Sequence, residues 1–286
     1  MTPQERLAPA RLPDYSLFRR VCHRGLHAVR PLKESAAASD PWGWNYGSGW
    51  PPSYLAYGRM RALIALQDAV ALQPKSVLEI AAGDAALCAS LASRGCQVAA
   101  NDLRREHLEE AVGQFQNAGN IRLLPGNLFE LDPEVTGQHD LVIACEIVEH
   151  VAHTVDFLKQ LKRFVATGGH ILLTTPNGSY FRNRLPTHSM IRDFQALESQ
   201  EFKPDADGHL FLITPEEMLD LAAKAGLTVE RLSLWGTPFI TGHGGISRVG
   251  APVACRLWHS LERSTQAFPF AIKTKLCFSM SVVLGL

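Results

Sequence analysis

A chain of 286 residues, 46% of them hydrophobic and 20% charged, has the make-up of an ordinary globular protein, long enough for one large domain with additions or two small ones. Lysine plus arginine balance aspartate plus glutamate at 28 each, so the basic excess of a dedicated nucleic-acid binder is missing and nucleic acid is not an expected partner. The six cysteines, at positions 22, 88, 96, 145, 255 and 277, form no Cys-x-x-Cys pair, which argues for scattered reduced thiols and against a disulfide framework or zinc knuckle.

The start, residues 1–13, is polar, carries three prolines and lacks the apolar stretch of a secretory signal. The apolar tail, 268–286, is interrupted by Lys273 and Lys275 and is too short and too charged to span a bilayer. These features predict a cytoplasmic protein without a transmembrane segment. Residues 1–55 are irregular and rich in proline, glycine and aromatics. Trp42, Trp44, Tyr46 and Trp50 stand among too many helix and strand breakers for a periodic element, so they read as an ordered loop. That loop is either a lid over a pocket or a clamp packing the N-terminus on the domain. The expected division is a cap segment at 1–55 and one catalytic domain at 56–286.

From 54 to 72 apolar residues follow a helical period, and Pro74 ends it. Strands and helices then alternate: strand 76–80, helix 85–93, strand 97–100, helix 104–116, strand 121–124, strand 141–145, a helix over 146–165 closed by Gly168-Gly169, and strand 170–175 stopped by Pro176. This alternation predicts βαβ units and a parallel sheet. Residues 177–213 break the rhythm, and a loop of that length in a compact domain is usually functional. Thr214-Pro215-Glu216-Glu217 opens the next helix with a capping box and a proline at its first position. A strand over 228–234, a glycine-rich loop over 236–250, a helix over 253–263 and a last strand over 276–284 complete the pattern.

Chemistry-bearing residues gather at the carboxyl ends of these strands, where an open α/β sheet places its ligands. Glu146, Glu149 and His150 follow strand 141–145, and on the expected helix their spacing puts them on one face of the first turn. Two carboxylates and an imidazole could bind a divalent metal, transfer a proton with His150 as base, or be no more than the solvated face of a helix start. Strand 76–80 carries Glu79 and runs through a turn of small residues, Ala81-Ala82-Gly83-Asp84-Ala85, into a helix. Small residues let backbone approach a ligand. Asp102 ends the next strand about 20 residues on, the usual place for a carboxylate holding ribose hydroxyls. A dehydrogenase fits that acid too, but two glycines of the dinucleotide turn are missing, which favours a ligand without a phosphate to cradle.

The block Val77-Leu78-Glu79-Ile80-Ala81-Ala82-Gly83, with Asp102 after it, resembles the first motif of class I S-adenosylmethionine-dependent methyltransferases, and so does the strand ending Thr174-Thr175-Pro176-Asn177. The segment Cys145 to Val151 is similar to that of ubiquinone-biosynthesis O-methyltransferases, and Glu-x-x-Glu-His is shared by small-RNA 2′-O-methyltransferases. The resemblance covers residues 54–234. It implies a seven-stranded, mostly parallel Rossmann-like sheet with helices on both faces, and S-adenosyl-L-methionine as cofactor. It places Glu79 by the cofactor's methionine end, Arg61 on its carboxylate, Asp102 on the ribose, and Asn127 and Leu128 by the adenine. Ala81, Gly83 and Cys145 line the same site. It further implies Mg²⁺ or Mn²⁺ on Glu146, Glu149, His150 and His209, the last from Asp207-Gly208-His209-Leu210-Phe211, with His150 and Glu149 acting on the acceptor. The expected reaction is O-methylation of a small aromatic or hydrophobic metabolite, with the aromatic segment and 177–213 capping its pocket. N-methylation of a small amine, RNA ribose methylation and a non-catalytic cofactor-binding scaffold are the alternatives.

Overall fold

The computed structural model describes residues 52–115, 120–201, 208–238 and 261–286, with side chains from Arg61 onward. The tryptophan-rich segment, the glycine-rich loop beyond residue 238 and the first part of the helix expected over 253–263 lie outside the described residues.

Helix α1 (Pro52–Ala71) leads into strand β1 (Ser76–Ile80), helix α2 (Ala86–Ala92), β2 (Gln97–Asp102), α3 (Arg105–Gly113), β3 (Ile121–Pro125) and β4 (His139–Cys145). Helix α4 (Thr154–Leu161), β5 (Val165–Pro176), α5 (Pro215–Lys224), β6 (Thr228–Trp235), α6 (Phe270–Leu276) and β7 (Ser279–Gly285) follow. The seven strands form one sheet in the order β3-β2-β1-β4-β5-β7-β6. The pairings among β1 to β5 are parallel, and β7 is antiparallel to both its neighbours. The order in which successive strands are added reverses between β1 and β4, which opens the crevice where such sheets bind ligands.

Alternation along the buried strands builds two cores. Leu78, Val142, Ala144 and Ile171 face α4 and α5, meeting Phe157, Leu158, Leu161, Met218 and Leu221. Val77, Leu141, Ile143 and Leu172 face the other way, onto Leu63 and Leu66 of α1, Leu91 of α2 and Leu108 of α3. The capping box of α5 forms as its sequence implies: Glu217 N donates to Thr214 Oγ1 at 3.1 Å and Thr214 N to Glu217 Oε2 at 2.7 Å. Among the described residues no helix is long and apolar enough to cross a membrane.

Three expectations are corrected. No helix begins at Glu146. The residue takes a left-handed φ of 55°, a single 3₁₀ turn spans Val148–His150, and regular helix starts only at Thr154. The cause is a ladder bond: Glu146 N donates to Thr174 O at 2.7 Å, so the chain stays with the sheet for one more residue and must then turn sharply. Gly168 and Gly169 do not close a helix but lie within β5. A Cβ on Gly169 would stand 2.8 Å from Asp140 O, so the bare backbone lets the two strands come together. The tail begins as a helix, with its strand delayed to Ser279.

The 177–213 segment is pinned at its base. Asn177 and Thr187 bridge to Ile213 and Leu212, and Asn177 Nδ2 donates to Thr274 O and Cys277 O, each at 2.8 Å. Both ends therefore emerge together at the carboxyl edge of β5.

Leu158 is fully buried at the centre of the α4 face. Leu158→Ala is expected to destabilise the protein by about 2–5 kcal/mol, read as a lower urea midpoint. An unchanged midpoint would mean that α4 is not docked there.

Candidate active site

Between β1 and β4 lies a cavity of about 310 Å³ whose walls include Arg61, Glu79, Ala81, Gly83, Cys145 and Glu146. Its floor is the turn after β1, where Ala81, Gly83 and Ala85 all take left-handed φ, at 50°, 54° and 56°. That conformation costs a non-glycine residue about 1–2 kcal/mol. Hydrogen bonds at 2.8 Å from Ala82 N to Asn101 O and from Ala85 N to Ala82 O hold the turn, and Asp84 Oδ1 accepts Ala86 N at 3.1 Å.

Glu79 stands at the back of the cavity, 6% exposed, and accepts a bond from the Cys88 thiol at 2.8 Å. Burial pushes its carboxyl up to about 8; the Cys88 bond opposes this and Asp84 adds to it. Cys145, at the end of β4, has its thiol pushed up to about 12, by burial first and the Glu79 charge second, so it is no thiolate nucleophile.

Asp102 ends β2 beside the cavity but not among its lining residues, accepting Arg104 N at 3.3 Å, with His107 Nδ1 at 3.6 Å. Gly126 N donates to Asp102 O at 2.9 Å, tying the end of β3 to it. The Asn127 side chain is engaged locally, capping the turn Leu128–Glu130 through Phe129 N at 3.2 Å and donating to Glu130 at 2.8 Å. The Leu128 side chain is in the core. What this segment offers a ligand is its backbone. Asn101, unremarked in the sequence, is buried and donates to Leu124 O at 2.5 Å and Gly126 O at 2.9 Å, locking β2 to β3. An amide in an otherwise apolar strand was its signal.

Across the cavity, Glu146 and Glu149 do not share a helix face. Glu146 accepts Thr174 Oγ1 at 2.9 Å and pairs with Arg61 at 3.3 Å. Glu149 is wholly buried rather than on a solvated face, and its Oε2 accepts Thr175 Oγ1 at 2.9 Å. Its Oε1 has no hydrogen-bond partner among the described residues. His209 returns from the insertion to this point because Leu210 N donates to Glu149 O at 3.0 Å. His209 Nε2 stands 3.9 Å from Glu149 Oε1, too long for a hydrogen bond, and its ring meets His150 edge-on at 5.0 Å.

Ligand atoms of Glu149, His150 and His209 lie within 4.8 Å of one another. Of the four residues expected around a cation, the structure gathers these three, while Glu146 turns to Arg61 and Thr174. Burial, reinforced by the Glu146 charge, holds the Glu149 carboxyl well above the usual range. Burial, and then His150, hold the His209 imidazole below its ordinary value, which keeps a lone pair available. An orphaned buried carboxylate oxygen beside two imidazoles is a donor set that fits a divalent ion. The positioning threonines, Thr174 and Thr175, were legible as part of the family-like strand end, but not as the partners of Glu146 and Glu149. Of the other histidines, His153 pairs with Glu198 at 2.7 Å and His188 packs on Phe194 and Phe211, both away from the cluster. His243 lies outside the described residues.

Comparison with known proteins gives a consistent result. Residues 54–232 match the family model described as methyltransferase domain. A ubiquinone biosynthesis O-methyltransferase of Acinetobacter baumannii is 31% identical over 169 residues, covering 57% of this chain and 67% of that one. Its counterpart in Acinetobacter baylyi is 29% identical over 171 residues, covering 58% and 69%. The CcbJ methyltransferase of Streptomyces caelestis shares the fold with a TM-score of 0.52 at 16% identity, over 85% of this chain and 98% of that one. So does the methyltransferase domain of bacterial CtHen1-C, with a TM-score of 0.51 at 15% identity, over 80% and 98%.

The raised Glu79 carboxyl gives a pH signature. Below its ordinary value of 4.5 both folded and unfolded chains hold the proton. Between 4.5 and about 8 only the folded chain does, so stability falls as pH rises through that window and levels off above it. Glu79→Gln removes this loss. The ligand-free variant is expected to gain stability relative to wild type from pH 4.5 to about 8 in urea titrations, and a pH-independent difference would refute the buried, protonated Glu79.

Proposed function

Because the chain belongs to the class I S-adenosylmethionine-dependent methyltransferases, we propose that it methylates a hydroxyl of a small aromatic or otherwise hydrophobic acceptor, with a divalent cation beside the reacting oxygen. The cluster of Glu149, His150 and His209 carries this reading. It adjoins the β1–β4 cavity through Glu146, whose charge acts on both Glu149 and His209. O-methylation is also what the ubiquinone-biosynthesis relatives are named for.

In the cofactor cavity, Arg61 and Glu79 serve the methionine end, Asp102 the ribose hydroxyls, and the backbone at Asn127 and Leu128 the adenine edge. Ala81 and Gly83 keep the turn bare of side chains where the cofactor passes. S-adenosyl-L-methionine bound there would supply an electrophilic methyl group, its S–CH3 bond breaking in line as the O–CH3 bond forms, with S-adenosylhomocysteine as the leaving group. Proximity and alignment contribute much of the rate.

At the cluster, Glu149, His150 and His209 would be the ligands. One carboxylate and two imidazoles suit Mn²⁺ better than Mg²⁺, which prefers oxygen donors. Such an ion supplies Lewis acidity that lowers the pKa of the acceptor hydroxyl. Thr175 orients Glu149 and leaves Oε1 available. His150 is half-buried, and without a cation it would take the acceptor hydroxyl proton as general base. Glu146 has a positioning part, fixing Arg61 at the cavity wall.

Asp102→Ala is expected to weaken S-adenosyl-L-methionine binding by roughly tenfold to a hundredfold in calorimetry, the worth of a charge-assisted hydrogen-bond pair. Unchanged affinity would remove Asp102 from the site. With caffeate as a catechol acceptor, EDTA is expected to abolish methyl transfer and Mn²⁺ to restore it. His209→Ala should lower the response to Mn²⁺ by at least about tenfold. Transfer indifferent to EDTA would eliminate the cation and leave His150 as base.

A further inference from the structure

A second cavity, of about 570 Å³, opens on the far side of His209, between the end of β5 and the first part of the insertion. Its size is that of a pocket for a ring with a substituent. Phe181, Phe278 and Leu185 give it apolar walls, and Arg182 and Arg184 stand among its described lining residues, none of which is acidic. In a chain whose formal charges cancel, that is a local excess of one sign at the mouth of a pocket.

The loop bearing the two arginines is braced from within. Asn183, between them, donates to Gly178 O at 2.9 Å and Leu185 O at 3.2 Å and accepts Leu185 N at 2.9 Å. Tyr180 N donates to Asn177 O at 3.1 Å and Phe181 N to Lys275 O at 3.0 Å. Tyr180 is buried edge-on between Phe181 and Phe278, at 4.9 and 5.5 Å. This props Phe181 outward, 60% exposed, as an aromatic surface. Arg184 makes no ion pair with a described residue. Its guanidinium presents a planar fork of donors, the geometry that matches an oxyanion.

We propose that this cavity receives the body of the methyl acceptor, and that the acceptor carries an oxyanion, a carboxylate or a phosphate, held by Arg184 with Arg182 beside it. The inference rests on the proposed O-methylation and narrows its substrate class. His209 belongs both to the cation cluster and to this cavity, so an acceptor whose hydroxyl meets the cluster extends naturally along the Phe181 wall. A neutral or cationic ring of the same shape fills the walls but brings no oxyanion to the Arg184 guanidinium.

Calorimetry on the full chain loaded with S-adenosylhomocysteine and Mn²⁺ tests this with three catechols that differ in charge: caffeate, caffeic acid methyl ester and dopamine. Caffeate is expected to bind about tenfold more tightly than the ester, with dopamine weakest. In Arg184→Gln the caffeate-to-ester ratio should fall to near one while cofactor-product affinity holds. Phenyl phosphate binding ahead of phenol would support the phosphate form, and benzoate ahead of phenol the carboxylate form. An ester that binds as tightly as caffeate, or a preference that survives in both Arg182→Gln and Arg184→Gln, would overturn the proposal. Inorganic phosphate competing as well as phenyl phosphate would overturn it too, reducing the cavity to a bare anion site. Methyl transfer is scored separately: charge-selective binding without transfer would retain the pocket and refute the O-methylation reading.

Discussion

The way β4 leaves the sheet governs the arrangement of the site. Its last ladder bond, from Glu146 N to Thr174 O, holds the chain against β5 one residue beyond the strand, and the left-handed turn at Glu146 follows from it. The next residue of β5 then catches Glu149 through Thr175. Two successive hydroxyls at the end of one strand thus orient two carboxylates from the segment after its neighbour. Without that turn Glu149 would face water, and the insertion, which hooks on the Glu149 carbonyl through Leu210, would lose its inner anchor.

This geometry concentrates acid. Glu79 and Glu146 line the cavity between β1 and β4 and Glu149 lies just beyond Glu146, and Glu79 and Glu149 have exposures of 6% or less. Each is met differently. Glu79 stays protonated near neutrality and bonds a thiol, and Glu146 is answered by Arg61. Glu149 has a hydroxyl on one oxygen, while the other has no hydrogen-bond partner among the described residues and lies near two imidazoles. A carboxylate in that position is neutralised by a proton or by a cation, and it is the histidines that make the cation an apt partner. On the proposed reading Glu79 belongs to the cofactor side of the site and Glu149 to the acceptor side, with Glu146 between them.

Much of the fold was legible because buried parallel strands read as short apolar runs bounded by turn residues, as in 76–80 and 141–145, and helix starts announce themselves chemically, as at Thr214. The error after β4 has a physical origin. Ile147, Val151, Val155 and Leu158 satisfy a helical period, yet a 3₁₀ turn followed by a shorter helix buries Ile147, Val151 and Leu158 equally well. What decides between the two is the ladder bond from Glu146 N to Thr174 O, whose partners are 28 residues apart in sequence and adjacent only in the sheet. The same limit applies to His209, whose partner Glu149 is 60 residues distant. Its approach depends on a backbone bond that no side-chain pattern reveals. Asn127 shows the converse, since its place in the sequence was found but its amide serves a local cap that competes with any outward role.

The base of the insertion has one more consequence. Asn177 and Ile213 are bridged, and Gly178 lies so close to the Ile213 backbone that a Cβ there would stand 3.0 Å from it. Because that clasp fixes the separation of the two ends, the cost of closing the segment is met at its root and rises only slowly with its length. The stretch between the clasp points behaves as a cassette. Its sequence can drift, lengthen or be exchanged while the sheet beneath keeps its register, which makes it the natural unit for retargeting this scaffold to a different acceptor.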